Sequence, residues 1–362
     1  MIAREWPLVP IYGTAALFFA LEEALLGDIS NPWWAAIALL WLFGVMMSSA
    51  FAVVRHADCL AEIFGEPYGT LILTFAITGI EVMMIAAVML TGPEVSTTAR
   101  DTMFAVIMIV FNGMAGLSVL LGGLRYHEQT YNLQGANAFL AVIMPLAVLG
   151  LILPNFTSAP GGTLSPLHEG FLMLMSIGLY AVFLAIQTLR HRHYFLEHGE
   201  TADEEAPPIT DLRPAAWHGT LLVLYILPIV LLSKKIAVPI DFTVRVLGAP
   251  EALVGFLVAV LIMSPESLTA LRATLANQMQ RSINLLLGSV LASISLTIPA
   301  VLAIGLLTDR LVVLGLAPVD TLLLLLTLAS GLLTFSSGRT NILQGAIHLL
   351  LFGAYIVMIF ER

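Results

Sequence analysis

The chain has 362 residues, 59% of them hydrophobic and 11% charged, with a formal net charge of −9 and a mean hydropathy of +0.96. Soluble domains carry about 25% charged residues, so this composition excludes a water-soluble globular enzyme and describes an all-α polytopic membrane protein. The single cysteine, Cys59, excludes an internal disulfide or a cysteine metal cluster, and no basic patch suits nucleic acid.

The N-terminal MIAREW has no small-residue cleavage site after the apolar run that follows, so no removable signal is expected. A helix needs ~20 apolar residues to cross ~30 Å of hydrocarbon. By that measure spans are expected at 11–27, 33–54, 69–91, 102–123, 138–154, 169–189, 215–233, 249–270, 283–307, 319–336 and 342–360. With the N-terminus inside, nine basic residues face the cytoplasm (Arg4, Arg55, Arg125, Arg190, Arg192, Arg213, Arg272, Arg281, Arg339) and six the other side, which favours that orientation.

Residues 1–32 hold one extra helix, and two five-span halves follow, 33–189 and 215–362. Between them RHRHYFLEHGETADEEAPPITDLRP (190–214), with six acids, three histidines and three prolines, reads as a solvated cytoplasmic linker. A five-span unit starts and ends on opposite sides, so a second copy lies upside down, as in many secondary transporters. The second spans support a repeat. Each has Gly-x-Pro at its mouth (Gly65 and Pro67; Gly248 and Pro250) and one glutamate further on, Glu81 or Glu266. LQGA also occurs twice, at 133–136 and 343–346, but before different helices of the two halves, and it is set aside as coincidence.

Ionisable residues inside spans are costly and are functional candidates by default. Glu81 and Glu266 are such residues, and no lysine or arginine lies mid-span to pair with them. A bare carboxylate in a dry interior costs of order 20 kcal/mol in the idealised limit. Each must therefore be protonated, face a water-filled cavity or meet a cation. The plain alternative is two permanently protonated side chains that bind helices together. Beside them, Pro265 and Gly79 are expected to break or loosen the helix and free carbonyl oxygens. Thr70, Thr74 and Thr78 form a stripe on the Glu81 face, and Ser264, Ser267 and Thr269 surround Glu266. The third spans add Asn112, flanked by Gly113 and Gly116, and Ser289 with Ser293. These amide and hydroxyl oxygens suit a hard cation, while small residues at that spacing equally serve close helix packing. No histidine, including His168, His218 and His348, is assigned as a ligand.

These residues resemble the cation/Ca²⁺ exchanger superfamily, and within it the bacterial ChaA-type calcium (or sodium, potassium)/proton antiporters. The likeness is strongest at VVRHADCLAEIFGEPYGTLILTFAITGIEVMMIAAVML and SPESLTALRATLANQMQRSINLLLGSVLAS. It implies two inverted five-helix repeats in a bacterial inner membrane, each with a glutamate in a broken second helix, matching Glu81 and Glu266. Plant and fungal relatives carry Gly-Asn-Ala-x-Glu at these sites. Here Thr78-Gly79-Ile80-Glu81 and Ser264-Pro265-Glu266 lack the asparagine, which leaves the cation open between Ca²⁺ and Na⁺ or K⁺.

The expected mechanism is competition. Two carboxylates about 5 Å apart repel by roughly 3 kcal/mol at an effective dielectric of 20, so a proton stays bound until a cation replaces it. No cofactor is called for; the partners are the transported ions and lipid. A monovalent antiporter and a cation channel are the alternatives. An intramembrane hydrolase is disfavoured, since His168-Glu169 lacks the second histidine of His-Glu-x-x-His.

Overall fold

In hydrocarbon every backbone N–H and C=O must find its partner within the chain, so long apolar runs become helices. The computed structural model describes residues 5–27, 29–65, 68–91, 95–157, 159–196 and 213–361. Among them, ten helices are long and apolar enough to cross a membrane. Their starts follow from local chemistry. Asn31 accepts from Trp33 N ahead of Pro32, Asn132 from Gln134 N, Ser165 from His168 N ahead of Pro166, and Asn341 forms a capping box with Gln344.

The helices group into two compact units, and neither is a sequence half. Unit one takes Met1–Pro93 with Ala206–Pro265; unit two takes Glu94–Glu205 with Glu266–Arg362. A repeat is a unit of sequence and topology, whereas these are units of contact.

Unit one contains α1 (Leu8–Ala20), α2 (Glu22–Leu26), α3 (Pro32–Phe64), α4 (Tyr68–Thr91), α9 (Ala215–Arg245) and the first part of α10 (Ala252–Leu275). Helices α3 and α9 outrun the expected 33–54 and 215–233 by continuing into their charged ends. They are tied by Ser49 Oγ donating to Tyr225 O (2.7 Å). The extra helix is only 13 residues long and is followed by a five-residue turn of helix. Together the two lie antiparallel to α3: Arg55 bonds Glu5 (2.6 Å), Trp41 Nε1 bonds Thr14 Oγ1 (3.2 Å), and Trp34 Nε1 bonds Leu25 O (2.7 Å). From Arg55 to Trp34, α3 rises about 32 Å at 1.5 Å per residue. The N-terminal segment thus covers the hydrocarbon thickness in two pieces. At its far end Lys235 pairs with Glu22 and sits over the Phe19 ring (4.3 Å).

Unit two centres on the helix Thr98–Tyr126 and on α11 (Met279–Thr308). The first is not a regular span. Between α5 (Thr98–Ile107) and α6 (Ala115–Tyr126) it widens into a π-helical turn, Met108–Met114. Around them stand α7 (Leu133–Ala147), α8 (Pro166–Ala185), α12 (Pro318–Phe335) and α13 (Ile342–Phe360). A two-residue parallel ladder, β1 (Val95–Ser96) with β2 (Leu311–Val312), closes one end. Near the starts of α7 and α13, Thr130 bridges Arg339 antiparallel.

Two expectations need correction. Helices α4 and α10 run unbroken through Gly79 and Pro265. Pro265 removes one donor, the one due to Leu261 O, and the turns on either side keep theirs; Ser264 Oγ donates to the neighbouring Val260 O (2.5 Å). Second, the linker starts later than expected. Phe195 is buried against Phe139 and Phe183 (ring centroids 5.4 and 5.7 Å), and Asn284 donates to its carbonyl (2.6 Å). The apolar Tyr194-Phe195-Leu196 docks where the charges around it suggested solvent; 197–212, with all six linker acids, lie outside the described residues. The two LQGA stretches lie at the starts of α7 and α13, the fourth span of one half and the fifth of the other, and the loops before them meet in the Thr130–Arg339 bridge.

Candidate functional site

The two second spans match in length: α4 and α10 have 24 residues each. Glu81 has 13 helical residues before it and Glu266 has 14. Each helix is entered through a glycine in the left-handed region, Gly65 (φ 61°) and Gly248 (φ 71°), where a side chain would be strained. Pro67 lies outside the described residues.

Glu81 is 1% exposed and Glu266 9%. On α4 the threonine stripe is half-buried at Thr70 and Thr74 and buried at Thr78, one turn before Glu81. Since α4 is unbroken, Thr78 and Glu81 share a face. On α10 the same continuity has the opposite effect. Ser264, two residues before Glu266, is turned about 200° away from it, and its hydroxyl is spent on its own helix.

The structure does bring Ser289 of α11 to Glu266. Ser289 Oγ is hydrogen-bonded to Glu266 Oε2 and lies 2.8 Å from Leu285 O. One hydroxyl proton cannot serve both oxygens. Either Ser289 donates to the carboxylate, or it donates to Leu285 O and accepts a proton borne by Glu266. The contact therefore suits both protonation states.

Asn112, in the π-helical turn, faces α12 and α13. Its Nδ2 donates to Thr327 Oγ1 (2.7 Å), and its Oδ1 accepts from His348 Nδ1 (2.9 Å). His348 Nε2 then accepts from Thr334 Oγ1 (3.0 Å). All four side chains are buried. The neighbouring glycines serve packing: a Cβ on Gly116 would lie 2.9 Å from His348 Cβ, and one on Gly345 would lie 2.5 Å from Leu120 N. The sequence reading missed this network because its members are far apart in the chain; the polar Asn112 opposite a mid-span His348 was the available signal. Among the described residues no cluster of three His, Cys, Asp or Glu side chains could hold a metal. A cation carried across the membrane would be substrate.

Ten helices long and apolar enough to cross a membrane, among the described residues, make this an integral membrane protein of the transporter class to which its family belongs. The chain belongs to the sodium/calcium exchanger protein family, whose model matches residues 34–189 and 217–361, the two sequence halves. It is 42% identical over 330 residues (90% of this chain, 89% of the relative) to the sodium-potassium/proton antiporter ChaA of Escherichia coli (strain K12). It is 41% identical over 353 residues (97% and 94%) to the putative ionic transporter y4hA of Sinorhizobium fredii (strain NBRC 101917 / NGR234). In fold it is similar to native YfkE, with a TM-score of 0.74 at 15% identity, covering 98% of this chain and all of that one.

Proposed function

We propose that this protein is a secondary antiporter of a bacterial inner membrane, N-terminus inside, exchanging a cation for protons, with Glu81 and Glu266 as the groups that carry both. The observation behind this reading is the matched pair of buried carboxylates, one in each half, in helices of equal length. An ionised carboxylate that leaves water must be compensated, by a proton or by a cation. Either ligand makes the other unnecessary, and that exclusion is the coupling. Thr78 and Ser289 add oxygens beside the carboxylates, and Ser289 reorients its proton as Glu266 changes state. Ca²⁺ is the cation the family description suggests; the relative named as a sodium-potassium/proton antiporter supports the monovalent reading.

Glu81→Gln and Glu266→Gln each remove the charge at nearly constant volume. In vesicles loaded with a pH-sensitive dye, each is expected to abolish proton flux driven by Ca²⁺, Na⁺ or K⁺. Near-normal exchange in a folded variant would remove that residue from the site, and cation flux without proton counterflow would indicate a channel.

A further inference from the structure

The short turn between α10 and α11 sets how these two helices lie along each other, and unit two grips that turn from outside. Helix α10 ends at Leu275 and α11 begins at Met279, with Asn277 in the left-handed region (φ 63°) where the chain reverses. Counted from Asn277, Glu266 is 11 residues back and Ser289 is 12 on. Each therefore lies about 17–18 Å along its helix, at 1.5 Å per residue. A slip of one residue in either helix would move its side chain about 1.5 Å in depth and about 100° around the axis. That is enough to part a serine hydroxyl from a carboxylate. The hydrogen bond between Ser289 and Glu266 thus depends on the turn.

The last carbonyls of a helix have no partner inside it. At the end of α10, Arg272 O and Ala273 O accept from the turn's own amides, Ala276 N and Gln278 N (3.0 and 2.9 Å). The next two carbonyls are reached from the loop after α6. Gln129 Nε2 donates to Thr274 O (3.0 Å), which also accepts from Asn277 N (3.0 Å), and Tyr126 Oη donates to Leu275 O (2.7 Å). The second hydrogen of the Gln129 amide goes to Asn277 Oδ1 (3.0 Å). Asn132 N donates to Gln280 Oε1 in the first turn of α11 (2.6 Å). The loop 126–132 therefore bonds to the end of α10, to the turn and to the start of α11.

The loop is itself held in place. Gln129 N donates to Thr340 Oγ1 (3.2 Å), Thr340 N to Gln129 O (2.9 Å), and Tyr131 N to Gly338 O (3.2 Å), so the loop before α13 fixes its backbone. Gly122 of α6 leaves room for the side chain. A Cβ there would lie 1.9 Å from Gln129 Oε1 and 2.9 Å from Thr274 Cγ2. Gln129 is 2% exposed, and its Oε1 has no hydrogen-bond donor among the described residues. A stranded buried acceptor costs stability, so the value of this amide lies in the two bonds it donates to the turn.

We propose that Gln129, seconded by Tyr126, is a positioning residue for the candidate site: by holding the α10–α11 turn it sets the register in which Ser289 meets Glu266. It acts from a distance, since Thr274 lies about 12 Å along α10 from Glu266. The register is a property of unit two alone. Its consequence for cation binding rests on the antiporter reading.

The test is infrared difference spectroscopy of the full chain in lipid at acid pH, with the C=O band of the Glu266 carboxyl identified as the one absent from Glu266→Gln. Ser289→Ala gives the band position of a Glu266 that lacks this hydrogen bond, and an unmoved band there overturns the proposal. Gln129→Met removes both donors and the stranded oxygen at similar volume. Its band is expected to move to the Ser289→Ala position, and Gln129→Met/Ser289→Ala should move it no further. A folded Gln129→Met with the wild-type band overturns the proposal, as does a double variant in which the two shifts add. If Gln129→Met does not fold, Tyr126→Phe decides, since it loses one hydroxyl only: its band should shift toward the same position, and an unmoved band overturns the proposal. In vesicles, KM for the cation should rise about tenfold in Gln129→Met and in Ser289→Ala alike. A merely structural role would lower the thermal midpoint and leave both the band and KM unchanged. If the bands converge but wild-type vesicles show no exchange, the positioning role stands and the antiporter reading fails.

Discussion

A buried polar side chain is worth most through what would be stranded without it. Asn112 satisfies His348 Nδ1–H and Thr327 Oγ1 at once. Asn112→Leu keeps the volume but strands the His348 Nδ1–H and leaves the Thr327 hydroxyl only its contact with Met108 Sδ (3.4 Å), at about 1–3 kcal/mol for a buried group left unsatisfied. We expect a lower thermal midpoint in detergent, and a smaller loss in Asn112→Leu/His348→Leu than the two single losses added, because both partners are then apolar. Transport separates structure from ligation. If Asn112 acts through α12 and α13, the folded variant keeps its apparent cation affinity; if its oxygen binds the ion, KM for the cation rises severalfold.

At the scale of the element, the second span of each half is a continuous helix where the composition suggested a break. A Cβ built on Gly79 meets nothing within 4 Å. Gly79→Ala should therefore be accepted and should stabilise α4 by up to about 1 kcal/mol, through the lower backbone entropy of the unfolded chain. The expected result is an equal or higher unfolding midpoint with exchange retained. A stable variant that no longer exchanges would mean that transport needs α4 to open at this turn. Gly345→Ala is the contrast: its Cβ would lie 2.5 Å from Leu120 N, so α6 and α13 must separate and the midpoint should fall.

For the whole molecule, the proposed competition makes a statement that no single helix can. If one cation displaces n protons, apparent cation affinity falls about 10-fold per pH unit for n of one and about 100-fold for n of two, once the site is protonated. The slope of log KM for the cation against pH in vesicles measures n. A slope near one supports monovalent exchange, and one near two supports divalent exchange against a proton pair. A flat profile would mean that protons and cations do not share the site.

Much of this was legible in the chain itself. Hydrocarbon thickness and the need to satisfy every backbone group fix helices wherever some twenty apolar residues run together. A carboxylate in such a run marks itself by its cost, as Glu81 and Glu266 do. Spacing also sets which side chains share a face, so Thr78 falls beside Glu81. What the sequence left undecided depends on partners hundreds of residues away. Ser289 meeting Glu266, Asn112 turning to His348, Glu5 closing over His56 and Tyr225, and Phe195 docking instead of dissolving are all choices of packing. Local periodicity says which residues face one way; only tertiary contact decides what stands opposite, because hydrogen bonds and ion pairs act over a few ångströms and take no account of distance along the chain.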